Sequence, residues 1–288
     1  MTNPTKELNV IQVPAFNDNY LWILHLKDDK QAYVVDPGDA KPIRDALSRN
    51  GLTLAGILVT HHHPDHTAGI GELIKEFGHK NVPVYGPDGG SVPSVTHPLH
   101  DGDVLNLQNG LTLKVFEVPG HTLDHIAYFY DPQSQHLPSS PDISTKSLGN
   151  HNKGKPALFG GDTLFAAGCG RLFEGTPAQM HHSLSKYMAF PDETLVYCAH
   201  EYTLANLAFA SAVEPKNQEL LERVTRETAK REQNLSTIPT NIGLEKATNP
   251  FLRCHIPSVV QSAESYAGNT LTSEEEIFGA IRQWKDNF

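Results

Sequence analysis

Cysteine is scarce: Cys169, Cys198 and Cys254 are the three in a chain of 288 residues. An odd, widely spaced trio builds neither a disulfide framework nor a cysteine-rich zinc site, and it points to free thiols in a reducing, cytoplasmic compartment. Long apolar runs are missing too. No stretch approaches the ~20 residues needed to cross a bilayer, so no membrane span is expected. The opening residues, Met1 to Glu7, hold no apolar h-region, so no secretory signal is expected. Basic residues are outnumbered, 23 Lys and Arg against 33 Asp and Glu, giving a net charge of −10. That balance argues against nucleic acid or an anionic membrane as partner, and leaves room for a small anion in a local basic pocket. No internal repeat is present. What remains is 39% hydrophobic and 19% charged residues, a globular composition, in a chain long enough to bury roughly three-quarters of its unfolded surface. The sixteen histidines are the anomaly, and their placement carries the argument.

The first two hundred residues read as short strands divided by Gly/Pro turns. Candidates are Leu8–Val13, Tyr20–Leu26, Ala32–Asp36, Ala55–Thr60, Val82–Tyr85, Leu113–Val118, His125–Tyr130, Ala157–Phe159 and Thr194–Ala199. Asp39–Asn50 and Ile70–Phe77 carry helical spacing and stop at Gly51 and Gly78. The alternation across Ala32–Tyr85 predicts βαβ units in a layered α/β domain. After about residue 203 the texture becomes helical: Leu204–Ala212, Asn217–Asn234, Ser258–Ala267 and Thr272–Asp286. The last of these opens with two candidate capping boxes, Thr272 with Glu275 and Ser273 with Glu276. Two regions are therefore expected, a layered α/β part over 1–203 and a helical part over 204–288. The polar, proline-rich Asp131–Pro156 reads as a surface loop or an extended hairpin tip.

The apolar Ile57-Leu58-Val59-Thr60 runs directly into His61-His62-His63-Pro64-Asp65-His66. Alternate side chains of an extended segment share a side, so His61 and His63 can point together while His62 faces away. Asp65 and His66 follow Pro64, where the chain turns, and can aim at a second point. Neutral imidazoles suit zinc, and a carboxylate compensates its charge. His121, Asp162 and His200 each follow a predicted strand. Singly each is weak, since His121 could be a loop histidine and Asp162 a helix N-cap. Together they supply what a two-metal site still needs, gathered at strand ends where an α/β sheet places its site.

With these residues in view, the chain resembles the metallo-β-lactamase superfamily, and within it the glyoxalase II (hydroxyacylglutathione hydrolase) family. The carriers are Thr60-His61-His62-His63-Pro64-Asp65-His66, Gly161-Asp162-Thr163-Leu164-Phe165, Ala167-Gly168-Cys169-Gly170-Arg171, His200-Glu201-Tyr202-Thr203, Asn249-Pro250-Phe251-Leu252-Arg253 and Arg282-Gln283-Trp284-Lys285-Asp286. The resemblance implies a four-layer αββα sandwich with a C-terminal helical region. It implies two divalent ions, zinc first, with iron or manganese as alternatives. His61, His63 and His121 would hold one ion and Asp65, His66 and His200 the other, with Asp162 and a water or hydroxide as bridges. The implied reaction is hydrolysis of S-D-lactoylglutathione, and of related S-(2-hydroxyacyl)glutathiones, by the metal-bridging hydroxide, the second step of methylglyoxal removal. Asp65 and Asp162 are then the catalytic carboxylates.

The same resemblance makes Arg171, Phe173, Tyr202, Arg282 and Lys285 substrate contacts, because the two carboxylates of glutathione call for cations. Read without it, Arg282 and Lys285 are a solvated face whose charges complement the end of a helix. Family members often have Lys at the position of Arg171 and Tyr at that of Phe173. Arginine keeps the cation with another geometry, and phenylalanine lacks the hydroxyl. Asp36 reads equally as a turn residue or as a support behind the metal ligands. Gly149–Lys155 has the first part of a phosphate-binding loop, but Pro156 replaces the required Ser/Thr. His181 and His182 fall in a predicted helix and point apart. Cys169 reads as a packed thiol. Glutathione persulfide dioxygenation, which needs a single iron, is the alternative activity, and a non-catalytic scaffold that kept the fold is the alternative of another class. A monomer is expected.

Overall fold

The computed structural model describes residues 7–78, 82–133 and 154–288. The tip of the polar proline-rich segment and Gly149–Lys153 of the glycine-containing run lie outside them. Among the described residues no helix is long and apolar enough to cross a membrane. The strands form two six-stranded sheets and one two-stranded sheet, and the contacts divide the chain into two compact units.

The first unit comprises Met1–Phe116 and Tyr128–Leu158. Its elements begin with β1 (Leu8–Ala15), β2 (Asn19–Leu26), β3 (Gln31–Val35), α1 (Ala40–Arg49), β4 (Thr53–Leu58), α2 (Pro64–Thr67), α3 (Ile70–Phe77), β5 (Val84–Pro87) and β6 (His97–Leu99). These six strands form one sheet in sequence order. β1, β2 and β3 pair antiparallel, and β3 through β6 pair parallel, as the βαβ reading requires. The register sets Ile23 opposite Ile11 and Val34. Ile23 and Val34 join Val13, Ile43, Leu47, Ile57 and Leu73 in one buried cluster, so the apolar stripes of α1 and α3 close on the sheet. Asp39 caps α1 by accepting from Lys41 N. β7 (Val104–Asn106) and β8 (Thr112–Glu117) form an antiparallel pair.

β4 ends two residues before the predicted Thr60. The reason is local: Val59 N still donates to Tyr85 O, but Thr60 N donates to the Asp36 carboxylate, so the ladder stops there.

β9 (Ile126–Tyr130) and β10 (Ala157–Gly161) are buried along their whole length. The second unit comprises Glu117–Ala127 and Phe159–Phe288. It holds the hairpin of β11 (Leu164–Phe165) and β12 (Gly168–Cys169), α4 (Pro177–Met188), β13 (Leu195–Cys198), α5 (Thr203–Val213), α6 (Gln218–Glu232), β14 (Thr240–Asn241), α7 (Ile242–Thr248), α8 (Pro257–Ala267) and α9 (Glu274–Asp286). β13 pairs antiparallel with β14. α9 starts at Ser273, whose hydroxyl accepts from Glu276 N. The Glu276 carboxylate accepts from Thr272 N and its hydroxyl, so this acid serves both predicted boxes and the Thr272–Glu275 pairing does not form. Those two bonds hold the Glu276 carboxyl below its ordinary range.

Beneath the helices lies a buried polar network. Arg223 of α6 reaches Glu245 of α7 at 2.5 Å, Thr248 at 2.6 Å and Thr240 at 3.2 Å. Glu245 also accepts from Ala167 N at 2.8 Å and from the Asn249 amide at 3.0 Å. Asn249 in turn donates to Gly168 O, and Asn206 of α5 donates to Ala166 O. Side chains from α5, α7 and the segment after α7 therefore hold the β11–β12 hairpin by its backbone.

Candidate metal and substrate site

In the first unit Asp36 organises the histidine run. Its backbone sits at φ 51°, a left-handed conformation uncommon for a non-glycine residue. Its carboxylate accepts from Thr60 N and Thr60 Oγ1, both at 2.7 Å, and from His66 Nδ1 at 3.0 Å. Thr60 has given its one hydroxyl proton to Asp36, so at 3.0 Å it can only accept from His61 Nδ1. The network thus assigns two tautomers. His61 and His66 carry the proton on Nδ1 and present an unprotonated Nε2.

His61 Nε2 lies 3.1 Å from His63 Nδ1, and their rings are 4.7 Å apart, while His62 is 6.5 Å from His61 by ring centre. His62 nevertheless lies 5.1 Å from His63 by ring centre, so it stays against the pair rather than apart from it. Pro64 opens α2, and the turn brings His66 Nε2 to 3.6 Å from Asp65 Oδ2. The Asn19 amide donates to that same oxygen at 3.0 Å. Gly38 is required here, because a Cβ would lie 1.8 Å from Asp65 O. The first unit therefore offers two adjacent pairs, His61 with His63 and Asp65 with His66.

In the second unit three predicted residues come together around one carboxylate. Asp162 Oδ2 lies 3.5 Å from His121 Nε2 and 3.3 Å from His200 Nε2, and all three side chains are buried. His121 Nδ1 faces Arg171 O at 2.8 Å and must donate to it, so its Nε2 is unprotonated when the ring is neutral. An imidazole lone pair and a carboxylate oxygen face each other, a repulsive arrangement that a cation relieves. His125 supports the carboxylate from behind, its Nε2 accepting from Asp162 N at 3.1 Å. The sequence reading missed His125, although its spacing of four from His121 was visible. Gly170 lets the hairpin close on this site, since a Cβ would lie 2.0 Å from Asp162 O.

The predicted substrate contacts lie in the same unit. Tyr202 stacks on His200 with ring centres 4.7 Å apart, and Phe173 meets the edge of His121 at 5.2 Å. Both aromatics are exposed. Arg171 bonds Asp286 of α9, and so does Arg282. Lys285 Nζ donates to Ala205 O and lies over the Phe209 ring. Burial, then the neighbouring Arg282 cation, pull the Lys285 ammonium below its ordinary value. Cys169 is buried, which pushes its thiol up to about 11 and makes it a packing group at neutral pH. His181 and His182 lie on α4, as predicted, apart from these clusters.

Residues 18–134 match the metallo-beta-lactamase superfamily, and residues 201–288 match the hydroxyacylglutathione hydrolase C-terminus. The chain is 47% identical over 282 residues to a hydroxyacylglutathione hydrolase of Nitrosomonas europaea, covering 98% of this chain and 97% of that one. It is 46% identical to the Shewanella loihica enzyme of the same name, covering 97% and 98%. Among solved structures, ETHE1 from Myxococcus xanthus superposes with a TM-score of 0.61 at 24% identity, covering 96% and 90%. TTHA1623 in a di-iron-bound form superposes with a TM-score of 0.53 at 22% identity, covering 85% and 100%. The chain therefore has the metallo-β-lactamase fold, carrying C-terminal helices.

Proposed function

The chain belongs to the hydroxyacylglutathione hydrolase family, and from that membership we propose how its side chains hydrolyse S-D-lactoylglutathione and related S-(2-hydroxyacyl)glutathiones. It is a thioester hydrolase: water adds its oxygen to the acyl carbon, the C–S bond breaks, and glutathione and a 2-hydroxy acid leave. Glutathione departs as a thiolate, a good leaving group that needs little protonation, so no Ser or Cys nucleophile is called for.

The His/Asp sets are compatible with a binuclear metal site. We assign His61, His63 and His121 to one ion and Asp65, His66 and His200 to a second, with Asp162 shared. Zinc suits these imidazole and carboxylate donors, and iron or manganese accept the same set. Two divalent ions so held would supply ionised water at neutral pH and Lewis-acid polarisation of the acyl carbonyl. The protein's own part is orientation. Asp36 and Thr60 fix the His61 and His66 tautomers, and the Arg171 carbonyl fixes that of His121. Tyr202 and Phe173 flank the ligand histidines with aromatic surface for the thioester, and Arg171, Arg282 and Lys285 supply cations for the glutathione carboxylates. Three buried free thiols suit a cytoplasmic setting.

The observation that carries this reading is Asp162 Oδ2 set 3.3 and 3.5 Å from two imidazole nitrogens, of which the His121 nitrogen has no proton to give when its ring is neutral. The test is elemental analysis together with thioester loss on metal-loaded protein. Two ions per chain and loss of S-D-lactoylglutathione are expected. One iron per chain with oxygen consumption on glutathione persulfide, and an intact thioester, would replace this reading with the dioxygenase.

A further inference from the structure

The cations assigned to glutathione already share a carboxylate. Arg282 is 6% exposed and fixed: its guanidinium lies 5.0 Å over the Phe251 ring, and NH1 donates to Cys169 O at 3.0 Å. Its NH2 donates to Asp286 Oδ1 at 2.9 Å, one helical turn on. Arg171 comes from 115 residues away, and its Nε reaches the same Oδ1 at 3.3 Å. Lys285, the residue before Asp286, adds a third positive charge. One carboxylate oxygen thus joins two guanidinium groups in a cluster of three cations and one anion. The two partners of Asp286 differ in mobility. Arg282 is locked by Cys169 O and Phe251, whereas the Arg171 side chain is 59% exposed and makes its bond from solvent. A charge-assisted contact at such exposure exchanges readily with another anion.

We propose that Asp286 is the resident counterion of the carboxylate subsite and a specificity-determining residue for the substrate. A glutathione carboxylate enters by taking Arg171 from Asp286, while Arg282 keeps Asp286 in place. The built-in carboxylate thereby sets how tightly an anionic substrate is held and how readily the anionic product leaves. This rests on the assignment of Arg171, Arg282 and Lys285 to glutathione.

The test is Asp286→Asn, which keeps the shape and the acceptor for Arg282 while removing the charge. Removing one exposed like charge beside a bound anion is worth up to about a fivefold gain in affinity. The inhibition constant of glutathione and the KM of the lactoyl thioester should fall by about threefold to fivefold at low salt. The gain should shrink at about 0.5 M salt, where such exposed charges are screened. Glutathione diethyl ester, with both carboxylates masked, should show no gain. An unchanged or weakened inhibition constant for glutathione, or an equal gain with the diester, overturns the proposal. The wild-type protein separates the two levels. Binding of glutathione by wild type without tightening in Asp286→Asn removes the role of Asp286 alone. Failure of wild type to bind glutathione at millimolar concentration removes the subsite assignment, and the proposal with it.

Discussion

Glu245→Gln should destabilise the protein more than Arg223→Met, although both break the same buried ion pair. Arg223 and Glu245 are 1% and 0% exposed. Removing one partner of such a pair leaves an uncompensated charge, at a cost of about 3–5 kcal/mol. The two substitutions differ in what else they strand. Glu245 takes four donors on two oxygens: Arg223 and Thr240 on Oε1, Ala167 N and the Asn249 amide on Oε2. Arg223→Met leaves the last two bonds intact. Glutamine keeps one oxygen and puts an NH2 against either the Arg223 side or the Ala167 side, so at least two donors lose their acceptor. A buried N–H without a partner adds about 1–3 kcal/mol. Ala167 also sits at φ 59°, a conformation that the Glu245 bond helps to hold. With about 2–4 °C per kcal/mol for a domain near this size, Arg223→Met should lower Tm by at least about 6 °C, and Glu245→Gln by several degrees more. Thermal unfolding followed by near-ultraviolet circular dichroism reads both. Activity read below the transition should fall in Glu245→Gln and hold in Arg223→Met, because the released hairpin leads directly to Arg171. A milder loss in Glu245→Gln than in Arg223→Met would refute the satisfaction argument. A fall under about 2 °C in both would refute the ion-pair cost itself.

Two further outcomes follow from charged and nucleophilic groups. Burial pushes Cys169 up to about 11 and Cys198 up to about 12, and raises Cys254 as well, so at pH 8 the native protein should leave Ellman's reagent almost unreacted, with all three thiols titrating after denaturation; one native thiol reacting like free cysteine would contradict this. The Lys285 ammonium is depressed below its ordinary 10.5, chiefly by burial. Its protonated form is the one that holds a carboxylate, so affinity for S-methylglutathione should weaken as pH rises through the depressed value. Lys285→Arg should remove that limb, and identical pH profiles for the two proteins would refute the role. In stability the sign is opposite: the burial cost is present at lower pH and relieved as pH rises through the depressed value toward 10.5.

The histidine–aspartate cluster proposed as a half-site in the first unit could be read because its residues are neighbours in sequence. A strand period of two sorted His61 and His63 from His62, and Pro64 announced the turn that sets Asp65 beside His66. Four helices after residue 203 (α5, α6, α8 and α9) were equally plain, each within a residue or two of its observed ends, whereas α7 (Ile242–Thr248) went unread. What stayed hidden depends on partners far along the chain. His125 looked like the edge of a strand, and its bond to Asp162 N spans 37 residues. Asn19 drew no reading at all, and its bond to Asp65 spans 46. Arg223 lies on a strongly charged helix, where a periodicity reading sends it to solvent. It is instead buried, with Glu245, Thr240 and Thr248 accepting from the two terminal nitrogens of its guanidinium. Asp286 was seen as the end of a motif, since no local rule says that Arg171 will reach it.

These hidden partners share a physical role that ranks the residues differently from their chemistry. Asp36 is no ligand in the assignment above, yet it satisfies Thr60 N, the Thr60 hydroxyl and His66 Nδ1. Losing it strands three buried donors and frees the tautomer of a ligand. His125 does the same for Asp162 N, and the Arg171 carbonyl does it for His121. The geometry of the proposed metal set is thus held by groups outside that set, so the cost of ordering the proposed ligands would be met during folding rather than at binding. Gly38 and Gly170 belong to the same scheme. Each lets one stretch of backbone lie against the carbonyl of a ligand aspartate, Asp65 or Asp162, where any side chain would force the carboxylate away. Tolerance to substitution, read as folded stability, should therefore be low at these supports.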